Sequence, residues 1–143
     1  MKALLIVGIE HTFAQQTFIL EMQMIHVKDT YDASNITKAS ENGSNDTFAI
    51  LSVFFQEQRS DNAHLKNLTD ALDSVKAKDN VKPFTGGKLE QLLPRNTDGF
   101  LRYNGSLTFP NCAESVTWTL FKVMPSHSNR FLLQSTIVDT MNY

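Results

Sequence analysis

The stretch Ile19-Leu20-Glu21-Met22-Gln23-Met24-Ile25-His26-Val27 decides how the chain is read. An extended strand alternates its side chains, so Leu20, Met22, Met24 and His26 share one face and Glu21, Gln23, Ile25 and Val27 the other. The first face is mostly apolar. The second sets a carboxylate and an amide two residues apart among apolar neighbours. Burying such groups is costly unless each finds a hydrogen-bond partner. From the strand alone two readings stay open: a satisfied polar pair inside a sheet, or a pair held in place for chemistry.

Upstream, residues 1–7 offer one basic residue and then an apolar run. That is the start of a signal-peptide pattern, but the run is at the short limit and no small-residue cleavage site follows. A strand is expected there instead. Glu10 and His11 come next, an acid beside a base, which is one route to proton transfer. Gln15 and Gln16 are expected to fill a turn before Thr17-Phe18 enters the strand.

Downstream, residues 28–47 are polar and read as a surface loop. The run Phe48-Ala49-Ile50-Leu51-Ser52-Val53-Phe54-Phe55 is apolar, of strand length, and suits a strand buried on both faces. Leu65, Leu68, Leu72 and Val75 recur at helical spacing, with Ser60 and Asp61 as N-cap candidates. His64 near that helix start is expected to be exposed. The loop at residues 76–88 carries Pro83 and Gly86-Gly87, but no strand-to-helix context makes these a phosphate cradle. Residues 112–120 read as another strand, with Val116, Trp118 and Leu120 on one face.

The chain has 143 residues, enough for one domain with a core. A hydrophobic content of 41% against 20% charged residues places it among globular sequences. A net charge of −2 leaves no electrostatic footprint for nucleic acid. No apolar run approaches the length of a membrane-spanning helix. The single cysteine, Cys112, cannot close a disulfide within the chain. Asn35, Asn42, Asn45, Asn67 and Asn104 each begin an N-x-Ser/Thr sequon, and three of them lie within residues 34–47. The cluster suits a glycosylated protein of the secretory pathway, and equally a loop rich in Asn, Ser and Thr.

Glu10-His11-Thr12, then the Glu21 strand, then Gly105-Ser106-Leu107-Thr108-Phe109-Pro110-Asn111-Cys112, then Ser115-Val116-Thr117-Trp118, follow one another with the spacing of the zinc-dependent α-carbonic anhydrases. The chain resembles that family from about Gly8 to about Ile137. The resemblance implies a mainly β fold with peripheral helices, an α+β domain built on a twisted and mostly antiparallel sheet. It implies a single, incomplete domain over residues 1–143, which leaves sheet edges open to an unknown protein partner.

What the resemblance implies for the site is particular. Glu10 would accept a hydrogen bond from the Thr108 hydroxyl, so that Thr108 orients a zinc-bound hydroxide. Leu107, Trp118, Ile25 and Ile50 would line the apolar pocket, although Ile50 reads equally well as plain core. His11 would be a structural core histidine. Gln23 stands at the position of a zinc-ligand histidine, with Glu21 as the partner of that ligand, and a glutamine amide is a poor zinc ligand. His26 falls on the opposite face and cannot substitute. The family's other two histidine ligands sit on a strand just upstream of Glu10, and here an apolar run takes their place. Phe109 stands where a small hydroxyl residue is usual and would fill substrate space, while Asn111 replaces a proline. Secreted members bond the cysteine at the Cys112 position to one in the N-terminal part of the domain.

The expectation is therefore a carbonic-anhydrase-like domain without catalysis, acting as a secreted or extracellular recognition module or as a fragment, with no cofactor. The alternative is a zinc-dependent carbonic anhydrase, hydrating carbon dioxide to bicarbonate, of which this chain is an incomplete part.

Overall fold

In a computed structural model the described residues are 3–8, 10–13, 16–18, 20–33, 35–57, 65–73, 88–121, 126–127 and 136–138. The expected strand forms as β4, Leu20–Val27, and it lies at the centre of the molecule. On one side it pairs antiparallel with β1, Ala3–Gly8, the strand expected from the apolar start. On the other it pairs antiparallel with β5, Phe48–Glu57, from Leu20↔Phe55 to Val27↔Phe48. Two short strands, β2 at Thr12–Phe13 and β3 at Gln16–Thr17, form a separate hairpin between β1 and β4, so Gln16 is a strand residue rather than part of the turn.

Beyond β5 the sheet continues with β7, Val116–Phe121, and then β6, Phe100–Gly105. The β5–β7 pairing is parallel and the β6–β7 pairing antiparallel. A parallel pair needs a long connection, and the one here carries α2 (Lys66–Asp73), a 3₁₀ turn at Leu89–Leu92, and β6 itself. β8, Ser126–His127, adds a short parallel pairing to β5, and β9, Thr136–Val138, pairs with β1. Among the described residues this makes a seven-stranded sheet, mixed but mostly antiparallel, with few helices. The expected fold class is what the chain adopts.

Alternation divides the core into two layers. Leu20, Met22 and Met24 of β4 join Leu5 and Val7 of β1 and Val53 and Phe55 of β5 under α2, whose Leu68 is buried with the preceding Leu65. The periodic apolar residues thus place the helix as expected. Ser60, Asp61, His64, Val75, Pro83 and Gly86-Gly87 fall outside the described residues. The opposite layer holds Ile6, Ile25, Ile50, Phe54, Leu107, Val116 and Trp118. The candidate site lies on this second face.

Three local expectations need correction. Residues 28–47 contain a helix, α1, at Ile36–Asn42. Asn35 caps it: its side-chain oxygen accepts from the Lys38 N–H at 2.9 Å, satisfying one of the unpaired first-turn donors. Ala39 and Ile36 then pack on the second layer, which explains a helix within so polar a stretch. After it the chain turns so tightly that a Cβ on Gly43 would lie 2.7 Å from the Ala39 carbonyl oxygen, so a residue without Cβ is needed there.

The strand expected from residue 112 begins only at Val116. Asn111 and Cys112 adopt φ values of 65° and 45°, and the Cys112 N–H closes a turn on the Phe109 carbonyl. Such a left-handed turn is incompatible with a ladder. Finally, β5 is buried on both faces from Ser52 to Phe55 but not at its start, where Ala49 is exposed and Leu51 half-buried.

Candidate functional site

Glu21 is the centre of the site. Its residue is 1% exposed, and its two carboxylate oxygens are surrounded by donors. Oε2 accepts the backbone N–H groups of Glu10 at 3.1 Å and His11 at 2.9 Å. Oε1 accepts from the Ser52 hydroxyl at 2.6 Å, the Gln23 amide at 3.2 Å and His11 Nδ1 at 2.6 Å. A carboxylate has about four lone-pair sites. Five donors saturate it and leave no acceptor capacity for a further ligand.

Three elements supply those donors. β4 carries Glu21 and Gln23 on the same face. β5 brings Ser52 directly opposite Gln23, in the one polar position of an otherwise apolar run. The segment after β1 folds back so that the peptide groups of Glu10 and His11 point at the carboxylate. Burial pushes the Glu21 carboxyl up, but the hydrogen bonds from His11 and Ser52 and the charge of the His11 ring outweigh it. The net result lies below the usual carboxylate range.

Gln23 is 2% exposed. Its amide nitrogen donates to Glu10 Oε2 at 2.8 Å as well as to Glu21 Oε1. Two carboxylates can be bridged in this way only by a donor, so the orientation of the amide is dictated by its neighbours. Across β1 the residue facing Gln23 is Ile6, with Gly8 opposite Glu21. His26 pairs with Ala49 and Ala3 on the other face, and its Nδ1–H donates to the Met24 carbonyl at 3.2 Å.

His11 continues the chain of polar contacts outward. Nε2 meets the Tyr103 hydroxyl at 2.7 Å, while Nδ1 faces Glu21. Nδ1–H donates to the Glu21 carboxylate in either state of the ring, while Nε2 accepts from the Tyr103 O–H when the ring is neutral and donates to the Tyr103 oxygen when it is charged. The imidazole stands edge-on to Trp118, with ring centroids 4.8 Å apart. Tyr103 stacks on Trp118 from the neighbouring strand, at 6.2 Å between centroids and 8° between planes. Burial, and then the negative charge of Glu21, push the Tyr103 phenol up. Glu21, His11 and Tyr103 thus form a carboxylate–imidazole–phenol relay running from the core to the surface. His11 sits at the margin of the core, half-buried, rather than within it.

The apolar residues singled out from the sequence are brought together. Ile25, Ile50, Leu107 and Trp118 belong to one buried cluster, each 1% exposed or less, and Phe109 packs against it. The loop bearing Leu107 is anchored at both ends: the Leu107 N–H donates to Ala113, and the Trp118 indole N–H donates to the Ser106 carbonyl at 3.1 Å. Asn111 ties the same loop to α1 through the Ser40 hydroxyl at 2.7 Å. Thr108 lies exposed at the loop surface, and Glu10, also exposed, spends Oε2 on Gln23. No hydrogen bond joins the two in this structure.

Sequence reasoning missed Ser52 and underrated His11 and Tyr103. A lone hydroxyl inside the apolar run at residues 48–55 was the available signal for Ser52. Nothing local marks Tyr103, whose role comes from a hydrogen bond to His11, 92 positions away in the sequence.

The sequence that builds this site matches known proteins. The family described as eukaryotic-type carbonic anhydrase matches residues 5–140. Carbonic anhydrase 4 of Mus musculus is 34% identical over 128 residues, covering 87% of this chain and 39% of its own length. Carbonic anhydrase 12 of Homo sapiens is 37% identical over 117 residues, covering 80% of this chain and 31% of its own length. Carbonic anhydrase 6 of Homo sapiens is 27% identical over 138 residues, covering 94% and 44%. The chain therefore spans less than half the length of these relatives, and within that span it belongs to the eukaryotic-type carbonic anhydrase family.

Proposed function

We propose that this chain is a carbonic-anhydrase-like domain that does not hydrate carbon dioxide and works as an extracellular recognition module for a protein partner. The observation that carries this reading is the bridging amide of Gln23, donating to Glu10 and Glu21 from a position where the family resemblance implies a zinc-ligand histidine. The residues facing it across the sheet are Ile6 and Ser52, an apolar side chain and a hydroxyl already committed to Glu21. Three imidazoles converging on one point are what a catalytic zinc of this type needs, and this donor set does not fit that centre. Phe109, packed against the Leu107–Trp118 cluster, supports the same reading, since a phenyl ring where the resemblance implies a small hydroxyl residue would fill space that a small substrate needs. Sequons at exposed Asn35, Asn45 and Asn104 support the extracellular assignment.

Leu107 and Trp118, both buried beside Ile25 and Ile50, favour a second reading, in which the pocket belongs to a zinc-dependent carbonic anhydrase completed by further chain. Metal analysis of the purified protein with a carbon dioxide hydration assay separates the two. The first reading expects no stoichiometric zinc and no hydration above the uncatalysed rate. Stoichiometric zinc with turnover abolished by a sulfonamide would falsify it.

A further inference from the structure

We propose that Asn35 and Asn45, at the two ends of the α1 segment, are sites of N-linked glycosylation. This rests on the extracellular part of the reading above and names where sugar attaches. The modification forms a bond from the side-chain amide nitrogen to the anomeric carbon of an oligosaccharide. That nitrogen gives up one proton, and the lipid-linked pyrophosphate that carried the sugar leaves. The requirements are a sequon, an accessible amide nitrogen, and a backbone not locked in a ladder or helix.

Asn35 meets the first two, and as the N-cap it lies just outside α1, whose first two residues complete its sequon. It begins Asn35-Ile36-Thr37, it is exposed, and its oxygen alone is used, accepting the Lys38 N–H as the helix cap. Among the described residues the amide nitrogen has no hydrogen bond. Because the sugar bond keeps the amide oxygen, the cap survives modification. Asn45 begins Asn45-Asp46-Thr47 in the exposed turn after α1. The Thr47 N–H and hydroxyl close that turn on the Ser44 carbonyl, while the Asn45 side chain is free of hydrogen bonds among the described residues.

The other exposed sequons are placed differently. Asn104 is held in the β6–β7 ladder opposite Thr117, whose hydroxyl approaches its oxygen at 3.4 Å. Asn67 lies within α2. Asn104 and Asn67 thus lie inside a ladder and a helix, whereas Asn35 and Asn45 lie outside both.

The test uses the full chain expressed in mammalian cells in two forms, one with its own first residue and one behind a cleavable secretory leader. Each is treated with peptide N-glycosidase in heavy-oxygen water and mapped by mass spectrometry. The expected result is oxygen-labelled Asp at positions 35 and 45 in the leader-directed form. Mobility should shift in steps, one step lost in each of Asn35→Asp and Asn45→Asp and both in the double variant. Asn35→Asp retains an oxygen for the cap, and Thr37→Ala removes the same sequon with the cap untouched, so loss of folding cannot imitate loss of sugar. Bare Asn35 and Asn45 in the leader-directed form, or sugar confined to Asn67 and Asn104, overturns the site. Sugar at both positions behind the leader supports the site whether or not the extracellular reading holds.

Discussion

The two faces of β4 are built from alternate residues of one strand, yet they are held by different physics. Leu20, Met22 and Met24 face α2 and are stabilised by apolar burial, which is non-directional and grows with area. Glu21 and Gln23, one residue out of step, face a cluster in which every bond has a direction and a required partner. The apolar face should therefore tolerate a change of shape at similar volume. The polar face should not tolerate losing any member, because the remaining groups stay buried without partners.

The largest effect is expected at Glu21. Glu21→Ala removes the common acceptor of the Glu10 and His11 peptides, Ser52, Gln23 and the His11 ring. Breaking a buried charged network from one side costs about 3–5 kcal/mol, read as a lowered urea midpoint. A loss below about 1 kcal/mol would mean the cluster is solvated and the contrast between the faces is false.

On the other face, Met22→Ala should cost about 2–5 kcal/mol, since Met22 is fully buried and leaves a cavity. Met22→Leu should cost under about 1.5 kcal/mol. A Leu variant as damaging as the Ala variant would show that the apolar face, too, demands one shape.

Acid sharpens the comparison without mutation. The folded Glu21 carboxyl titrates below its unfolded value, about 4.3 for a free glutamate. Its contribution is therefore fully present above the unfolded pKa and is lost as pH falls through the folded one. Urea midpoints measured from neutral pH down to about pH 2, a span reaching below the free-glutamate value, should fall in the acid limb. In Glu21→Gln that limb should flatten relative to the parent chain. Unchanged acid dependence would remove Glu21 as its source.

Much of the architecture was legible because it depends on period and burial. Alternation at residues 19–27, the apolar run at 48–55 and the leucine spacing from Leu65 each announced an element locally. The exceptions were decided by tertiary partners. α1 forms in a polar stretch because Ala39 and Ile36 find the second layer and Asn35 caps the turn. The late start of β7 follows from left-handed turns at Asn111 and Cys112, neither of which is a glycine that would have signalled them. At the site, the pocket residues Ile25, Ile50, Leu107, Trp118 and Phe109 were legible through the family resemblance. The relay from Glu21 through His11 to Tyr103 was not, because no local pattern links residues so far apart in sequence.

The smallest effect tests how far the polar cluster reaches. α1 packs on the same side of the sheet as Glu21, but its cap is local and exposed. Asn35→Ala should cost about 1 kcal/mol, and Asn35→Asp far less, since an acceptor remains. If the polar face acts as a unit bounded by its own hydrogen bonds, Asn35→Ala and Glu21→Gln share no partner. Their costs should then add within about 0.5 kcal/mol. Besides the packing of Ala39 and Ile36 on the second layer, the Asn111–Ser40 hydrogen bond links α1 to the site face. A coupling above about 1 kcal/mol in the double variant, where independent sites add within a few tenths, would show that this link carries strain from the helix to the loop of Leu107. Glu21 would then be the centre of a network that includes α1.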